Sequence, residues 1–165
     1  MEQKLHDKQQ RFLDLAETYK DIIAKVCSVY ATHEAPFADL YQEVMINLWI
    51  GLDGYRGDAK ASTWSYRIAL NSWITWMKRS RRQSGNVVEL EAGMQIPDAD
   101  TDTAQQIGLL YNMISRLEPF DKALITLWLD EKSYDEISTI LGISKPNVAI
   151  RLHRVREKLT KLAEQ

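Results

Sequence analysis

The chain has 165 residues, 45% apolar and 27% charged, a formal net charge of −2 and a single cysteine, Cys27. That length suits one compact domain or two very small ones, and no apolar run approaches the ~18 residues needed to span a bilayer. One cysteine excludes an internal disulfide and a cysteine-built metal site, and the polar opening Met1-Glu2-Gln3-Lys4 argues against a secretory leader. The expectation is a soluble cytoplasmic protein without membrane insertion.

In chain order, Phe12, Leu15, Tyr19, Ile22, Ile23, Val26 and Tyr30 recur at three- and four-residue spacing and predict one amphipathic helix. Cys27 falls on its apolar face, where a thiol is expected to be buried and inert. A break at residues 32–37 containing Pro36 leads to a second helix carrying Leu40, Val44 and Leu48, which Gly51 and Gly54 stop. A glycine-containing loop, Gly54 to Ala59, precedes a third helix from about Ser62 to Arg82. Residues 84–103 lose the periodicity, carry Ser84, Gly85, Gly93, Pro97 and five acidic side chains, and read as a flexible acidic linker. Ile107, Leu110, Tyr111, Ile114 and Leu117 predict a further helix, and Pro119 suits the first position of the next. No segment alternates like a half-buried strand. The fold class is therefore all-α, two small helical modules at residues 8–83 and 104–165 joined by the linker.

The charge is unevenly spread. Lys78, Arg79, Arg81 and Arg82 form one basic cluster; Lys145, Arg151, Arg154, Arg156, Lys158 and Lys161 form a second. Such alternation permits local contact with phosphates despite the negative total.

The sharpest local pattern lies near the C-terminus. Ser133 followed by Glu136 makes a capping box, Gly142 suits a left-handed helix end, and Ser144 caps a helix with Lys145 and Pro146 in its first turn. A helix, a short glycine turn and a second capped helix make a helix-turn-helix, whose second member enters the DNA major groove. Val148, Leu152, Val155, Leu159 and Leu162 fall on its inward face. Pro146, Ile150, His153 and Arg154 fall opposite, with Asn147 and Arg151 beside them: asparagine pairs with adenine, an exposed isoleucine meets a thymine methyl, and Arg151, Arg154 and Lys158 suit phosphates. His153 lacks a spaced partner ligand, and no nucleophile–base pair or phosphate-cradling loop occurs, so neither catalytic nor metal nor cofactor chemistry is expected.

The third helix has two faces. Tyr66, Leu70, Trp73, Ile74 and Met77 should be core; Trp64, Arg67, Ile68, Asn71, Thr75 and Lys78 lie on the other side. Cations beside an aromatic ring suit single-stranded DNA, although helical spacing alone equally allows Trp64 to pack internally.

These segments resemble a known family. Asp39-Leu40-Tyr41-Gln42-Glu43-Val44-Met45-Ile46-Asn47-Leu48-Trp49 is similar to the sigma region-two segment that docks on RNA polymerase. Tyr55-Arg56-Gly57-Asp58-Ala59, with Ser62 to Asn71, resembles the promoter-melting segment of extracytoplasmic-function sigma factors, and Leu141 to Arg156 resembles their region-four helix-turn-helix. The resemblance implies a subunit that directs core RNA polymerase to promoters. Asp39, Gln42, Glu43 and Asn47 would contact polymerase. Arg56, Gly57, Asp58, Ala59, Lys60 and Ser62 would hold a base flipped from the −10 element, with Trp64, Arg67, Asn71, Lys78 and Arg79 along the single strand. Ser144, Lys145, Pro146, Asn147, Ala149, Ile150, Arg151, His153, Arg154 and Lys158 would meet the −35 duplex. The linker would thread the polymerase cleft, and an anti-sigma factor would be a further partner. Lys145-Pro146-Asn147 departs from the glycine-threonine pair common at this point in the family, and Ala149 and Ile150 replace polar or basic readers, so the −35 sequence does not carry over. A free-standing regulator and a sequestering interaction protein are the other two readings. Neither accounts for Trp64, Arg67, Asn71 and a basic tail opposite a core face.

Overall fold

A computed structural model describes residues 1–84 and 101–165. Eight helices follow in order among the described residues: α1 Glu2–Thr18, α2 Lys20–Tyr30, α3 Phe37–Gly51, α4 Ala61–Ser84, α5 Thr101–Ser115, α6 Pro119–Leu129, α7 Tyr134–Leu141 and α8 Lys145–Ala163. Residues 85–100 of the expected linker lie outside the described residues, as do the side chains of Arg81 and Arg82 in the first basic cluster.

The single helix expected through Phe12 to Tyr30 is two. Tyr19 leaves helical geometry (φ −108°, ψ 15°), yet its N–H still bonds to the Leu15 carbonyl oxygen and its carbonyl accepts from Ile23. The break is thus a kink rather than a loop, and the apolar stripe continues across it. At the other end of α2 the chain turns at Thr32, whose hydroxyl accepts from the Ala35 N–H at 2.9 Å. Pro36 stands in the N-cap position of α3.

In the first unit α2, α3 and α4 pack around Ile23, Val26, Cys27 and Tyr30 from α2, Leu40, Val44 and Leu48 from α3, and Tyr66, Ala69, Leu70 and Trp73 from α4, all buried. Each fully buried side chain of that size contributes about 1.5–3 kcal/mol relative to exposure. Burial also pushes the Cys27 thiol up to about 12, so it stays protonated and inert. The largely polar α1 buries no residue completely; it is held by Phe12 edge-on to Trp49 at 5.5 Å and by Lys8, which lies over Trp49 and pairs with Asp53. Ile74 departs from expectation: it stands 42% exposed, because α4 turns it into a cleft facing the second unit rather than into the core.

The second unit closes Leu124, Ile125 and Leu127 of α6 over Ile137 and Ile140 of α7 and Val148, Leu152 and Val155 of α8. The buried side chains of both units form one continuous cluster, because α2 meets α5 and α6 while α4 meets α7.

Candidate nucleic-acid interface

The helix-turn-helix follows from local chemistry. The Ser133 hydroxyl accepts from the Glu136 N–H while the Glu136 carboxylate accepts from the Ser133 N–H, each at 3.1 Å, a reciprocal cap starting α7. Gly142 ends α7 at φ +70°, and the Ser138 hydroxyl ties the turn by donating to the Ile143 carbonyl oxygen at 2.5 Å. The Ser144 hydroxyl then accepts from the Asn147 N–H, opening α8. Val148, Leu152 and Val155 are buried and Leu159 and Leu162 half-buried, so the opposite stripe is turned outward. Ser144, Lys145, Pro146, Asn147, Ala149, Ile150, Arg151, His153, Arg154 and Lys158 are all exposed. Ile150, 51% exposed, is the large apolar group among them.

Several cations on that surface have internal partners. Arg151 lies over the Phe120 ring, Lys145 pairs with Asp135 at 3.4 Å, and His153 sits 3.3 Å from Glu157. Lys158 pairs at 2.8 Å with Asp121, whose carboxylate raises the Lys158 ammonium above its ordinary range. Asn147, Ala149, Ile150 and Arg154 therefore form the least encumbered part of the face.

In the first unit, residues 54–60 make a compact loop. Gly57 takes φ +82°, a conformation few other residues adopt, and the Tyr55 hydroxyl closes the loop by donating to the Ala59 carbonyl oxygen at 2.8 Å. Arg56, Gly57, Asp58 and Lys60 are exposed; Ala59 and Ser62 are half-buried. Trp64 is neither free nor sealed. Tyr55 stacks on it at 4.6 Å and 23°, and the missing side chain at Gly51 makes room for its ring, since a Cβ there would stand 3.1 Å from the indole. Trp64 thus buttresses the loop, one face already covered. Arg67, Asn71 and Lys78 are exposed further along α4, but the Arg67 guanidinium donates to the Thr139 carbonyl oxygen in α7 at 2.6 Å.

On α3, Asp39 and Gln42 face outward. Glu43 is drawn sideways into an ion pair with Arg79 at 2.6 Å, joining two residues expected to serve different partners. The Asn47 amide donates to the Ser72 hydroxyl at 2.8 Å and so ties α3 to α4. Sequence reasoning passed over Ile46 and Ile50, 53% and 64% exposed, which continue the outward face of Asp39 and Gln42 at helical spacing. It also passed over Tyr55, and over Lys122, which is fully buried. A helical wheel of α3 would have found the isoleucines; nothing periodic marks Lys122.

Among the described residues no group of three or more His, Cys, Asp or Glu could hold a metal ion, and no helix is long and apolar enough to cross a membrane.

The chain matches the family models for Sigma-70 region 2 over residues 15–83 and Sigma-70, region 4 over residues 107–159. It is 30% identical over 169 residues to the ECF RNA polymerase sigma factor SigW of Bacillus subtilis, covering 93% of this chain and 89% of that protein. It belongs to the extracytoplasmic-function sigma factor family. The ECF RNA polymerase sigma-E factor of Escherichia coli strain K12 is 27% identical over 92% of this chain and 85% of its own length. Among solved structures, the sigma factor RpoE of Bartonella quintana, in complex with the anti-sigma factor NepR, shares the fold with a TM-score of 0.74 at 19% identity, over 96% of this chain and 97% of that one. CnrH, in complex with the cytosolic domain of CnrY, does so with a TM-score of 0.68 at 20% identity, over 94% and 89%. As a sigma factor the chain is a promoter-recognition subunit of RNA polymerase acting in transcription initiation. The region-2 match takes in the end of α1, all of α2 and α3 and nearly all of α4, and the region-4 match holds α7, the turn and α8 as far as Leu159.

Proposed function

We propose that the two units, residues 8–83 and 104–165, divide promoter recognition between them. The outward face of α3 (Asp39 and Gln42, continued by Ile46 and Ile50) docks on core RNA polymerase, with Glu43 and Asn47 bracing that face from behind. The loop of Arg56, Gly57, Asp58, Ala59, Lys60 and Ser62 receives an unpaired base of the −10 element, buttressed by Trp64. Arg67, Asn71, Lys78 and Arg79 follow the strand's phosphates, and extruding the base costs a few kcal/mol of stacking that a preformed loop offsets.

On the duplex, Asn147, Ala149, Ile150 and His153 read base edges of the −35 element, while Ser144, Lys145, Pro146, Arg151, Arg154 and Lys158 set the register on phosphates. The chain performs no catalysis of its own, works in the cytoplasm, and is held in check by an anti-sigma factor. The last point is supported by one solved relative, captured with the anti-sigma factor NepR.

The observation that carries this reading is the outward stripe of α8, an exposed Ile150 beside Asn147 on a doubly capped helix-turn-helix. The test is run-off transcription from a promoter library with core polymerase and the purified chain. Chain-dependent transcripts from a defined promoter set are expected. Tight duplex binding by the chain alone, without stimulation of polymerase, would instead make it a free-standing regulator.

A further inference from the structure

The loop between α3 and α4 is closed by a single side chain. At its start the Gly54 N–H donates to the Gly51 carbonyl oxygen at 3.1 Å and the Tyr55 N–H to that of Leu52 at 3.3 Å. Beyond that point, among the described residues, no backbone N–H from Arg56 to Lys60 donates within the chain. Gly57 turns through φ +82°, and a Cβ built there meets nothing within 4 Å, so no packed neighbour presses the loop into shape. The Lys60 ammonium leaves the loop to pair with Glu136. What spans Arg56 to Ala59 is therefore the Tyr55 hydroxyl, which donates to the Ala59 carbonyl oxygen at 2.8 Å.

The ring that carries this hydroxyl is itself held. Tyr55 stacks on Trp64 with centroids 4.6 Å apart and planes 23° apart. The indole in turn lies against Gly51, where a Cβ would stand 3.1 Å from one of its carbons and 3.4 Å from Ile68. A fixed aromatic ring has no torsion between its plane and its oxygen, so the distance from the Tyr55 backbone to Ala59 is set by the ring. The last turn of α3, the indole, the phenol and the far end of the loop thus form one chain of contacts. A neutral hydrogen bond is worth roughly a fivefold change in an equilibrium. Without it the loop spreads over open forms, and its apparent affinity for a base falls with the fraction left in the competent form.

We propose that Tyr55 is a positioning residue for base capture: its hydroxyl holds residues 56–59 in the form that accepts the extruded −10 base. It acts through the loop, since one ring face is covered by Trp64 and the hydroxyl proton is committed to Ala59. This rests on the promoter-recognition reading above and adds to it what sets the shape of the capturing loop.

The test uses holoenzyme assembled from core polymerase and the full chain, binding a labelled promoter fragment whose −10 element is already unpaired. The non-template strand is either intact or carries one abasic nucleotide, placed in turn at each −10 position. For the wild type, one position should stand out as the base whose loss weakens the complex. Tyr55→Phe keeps the ring and removes only the hydroxyl. It should bind the intact strand roughly fivefold more weakly, yet match the wild type on the strand abasic at that position, where no base is left to hold. Gly57→Ala perturbs the same loop through its dihedral alone and should show the same signature, a few-fold penalty that vanishes at the abasic position; its absence would break the link between loop shape and capture. A Tyr55→Phe penalty of equal size on intact and abasic strands would make the hydroxyl merely structural and overturn the proposal, as would no penalty on the intact strand. Wild-type holoenzyme indifferent to abasic nucleotides at every position would remove base capture by the loop altogether, and this proposal with it. A sensitive wild type with an unresponsive Tyr55→Phe would remove this proposal alone.

Discussion

Replacing Gly142 isolates the turn on which duplex reading depends. Its φ is +70°, and a Cβ built there meets nothing within 4 Å, so a substitution creates no clash and its cost is purely conformational. Holding an L-residue in the left-handed region costs about 1–2 kcal/mol. Alanine also restricts the unfolded chain, which returns about 0.4–1 kcal/mol. Gly142→Ala should therefore destabilise the protein by about 1 kcal/mol, lowering the melting temperature by roughly 2–4 °C for a domain of this size. Gly142→Asn should cost less, because asparagine tolerates that geometry. Urea and thermal unfolding measure the order Gly, Asn, Ala. Run-off transcription should fall in the same order, because the turn sets how α8 sits on α7. Equal stability for all three residues would show that the turn does not need its left-handed residue, and the derivation of the helix-turn-helix geometry would fail.

Other outcomes follow from the same surfaces. Asn147→Ala and Ile150→Ala should leave stability unchanged, both positions being exposed, yet shift the preferred −35 bases by ~1–3 kcal/mol per contact, measured by run-off on randomised promoters. Ile50→Asp should fold normally and weaken binding to core polymerase, with Asp39→Lys doing the same, as read by gel filtration with labelled chain; undiminished affinity in both would displace docking from α3. Gly51→Val should push the Trp64 indole off Tyr55 and lower promoter opening more than polymerase affinity, followed by fluorescence of a base analogue in the −10 element. The lowered Lys122 ammonium gives a signed pH effect. Its burial penalty is complete below about 8 and disappears above its ordinary 10.5, so unfolding stability should rise with pH across that window. The rise should be absent in Lys122→Met, the difference between the two proteins removing contributions from other groups.

What could be read from the sequence was what depends on near neighbours along the chain. The Ser133–Glu136 cap, the left-handed Gly142 and the Ser144 cap are short-range hydrogen bonds and dihedral preferences, and all three stand in the structure. The α8 stripe was equally legible, since one period of 3.6 sorts Val148, Leu152 and Val155 from Asn147 and Ile150. What depended on the partner element was not. Nothing in helical spacing tells that Glu43 reaches Arg79, that Asn47 bonds Ser72, or that Tyr55 stacks on Trp64. Ile74 carried a core position's spacing, but the second unit, invisible to periodicity, leaves it lining a cleft. The kink at Tyr19 escaped because the backbone bonds on both sides of it persist and the apolar stripe is unbroken. Lys122 escaped because a lysine is ordinarily read as solvent-facing.

A photo-crosslinking amino acid placed singly at Lys78 and at Ile150, in holoenzyme assembled on one promoter, addresses the division of labour between the two units most directly. The expected result is crosslinking from position 78 to the non-template strand of the −10 element and from position 150 to the −35 duplex, both requiring core polymerase. Crosslinks from both positions to the same element, or a pattern unchanged when polymerase is left out, would contradict it.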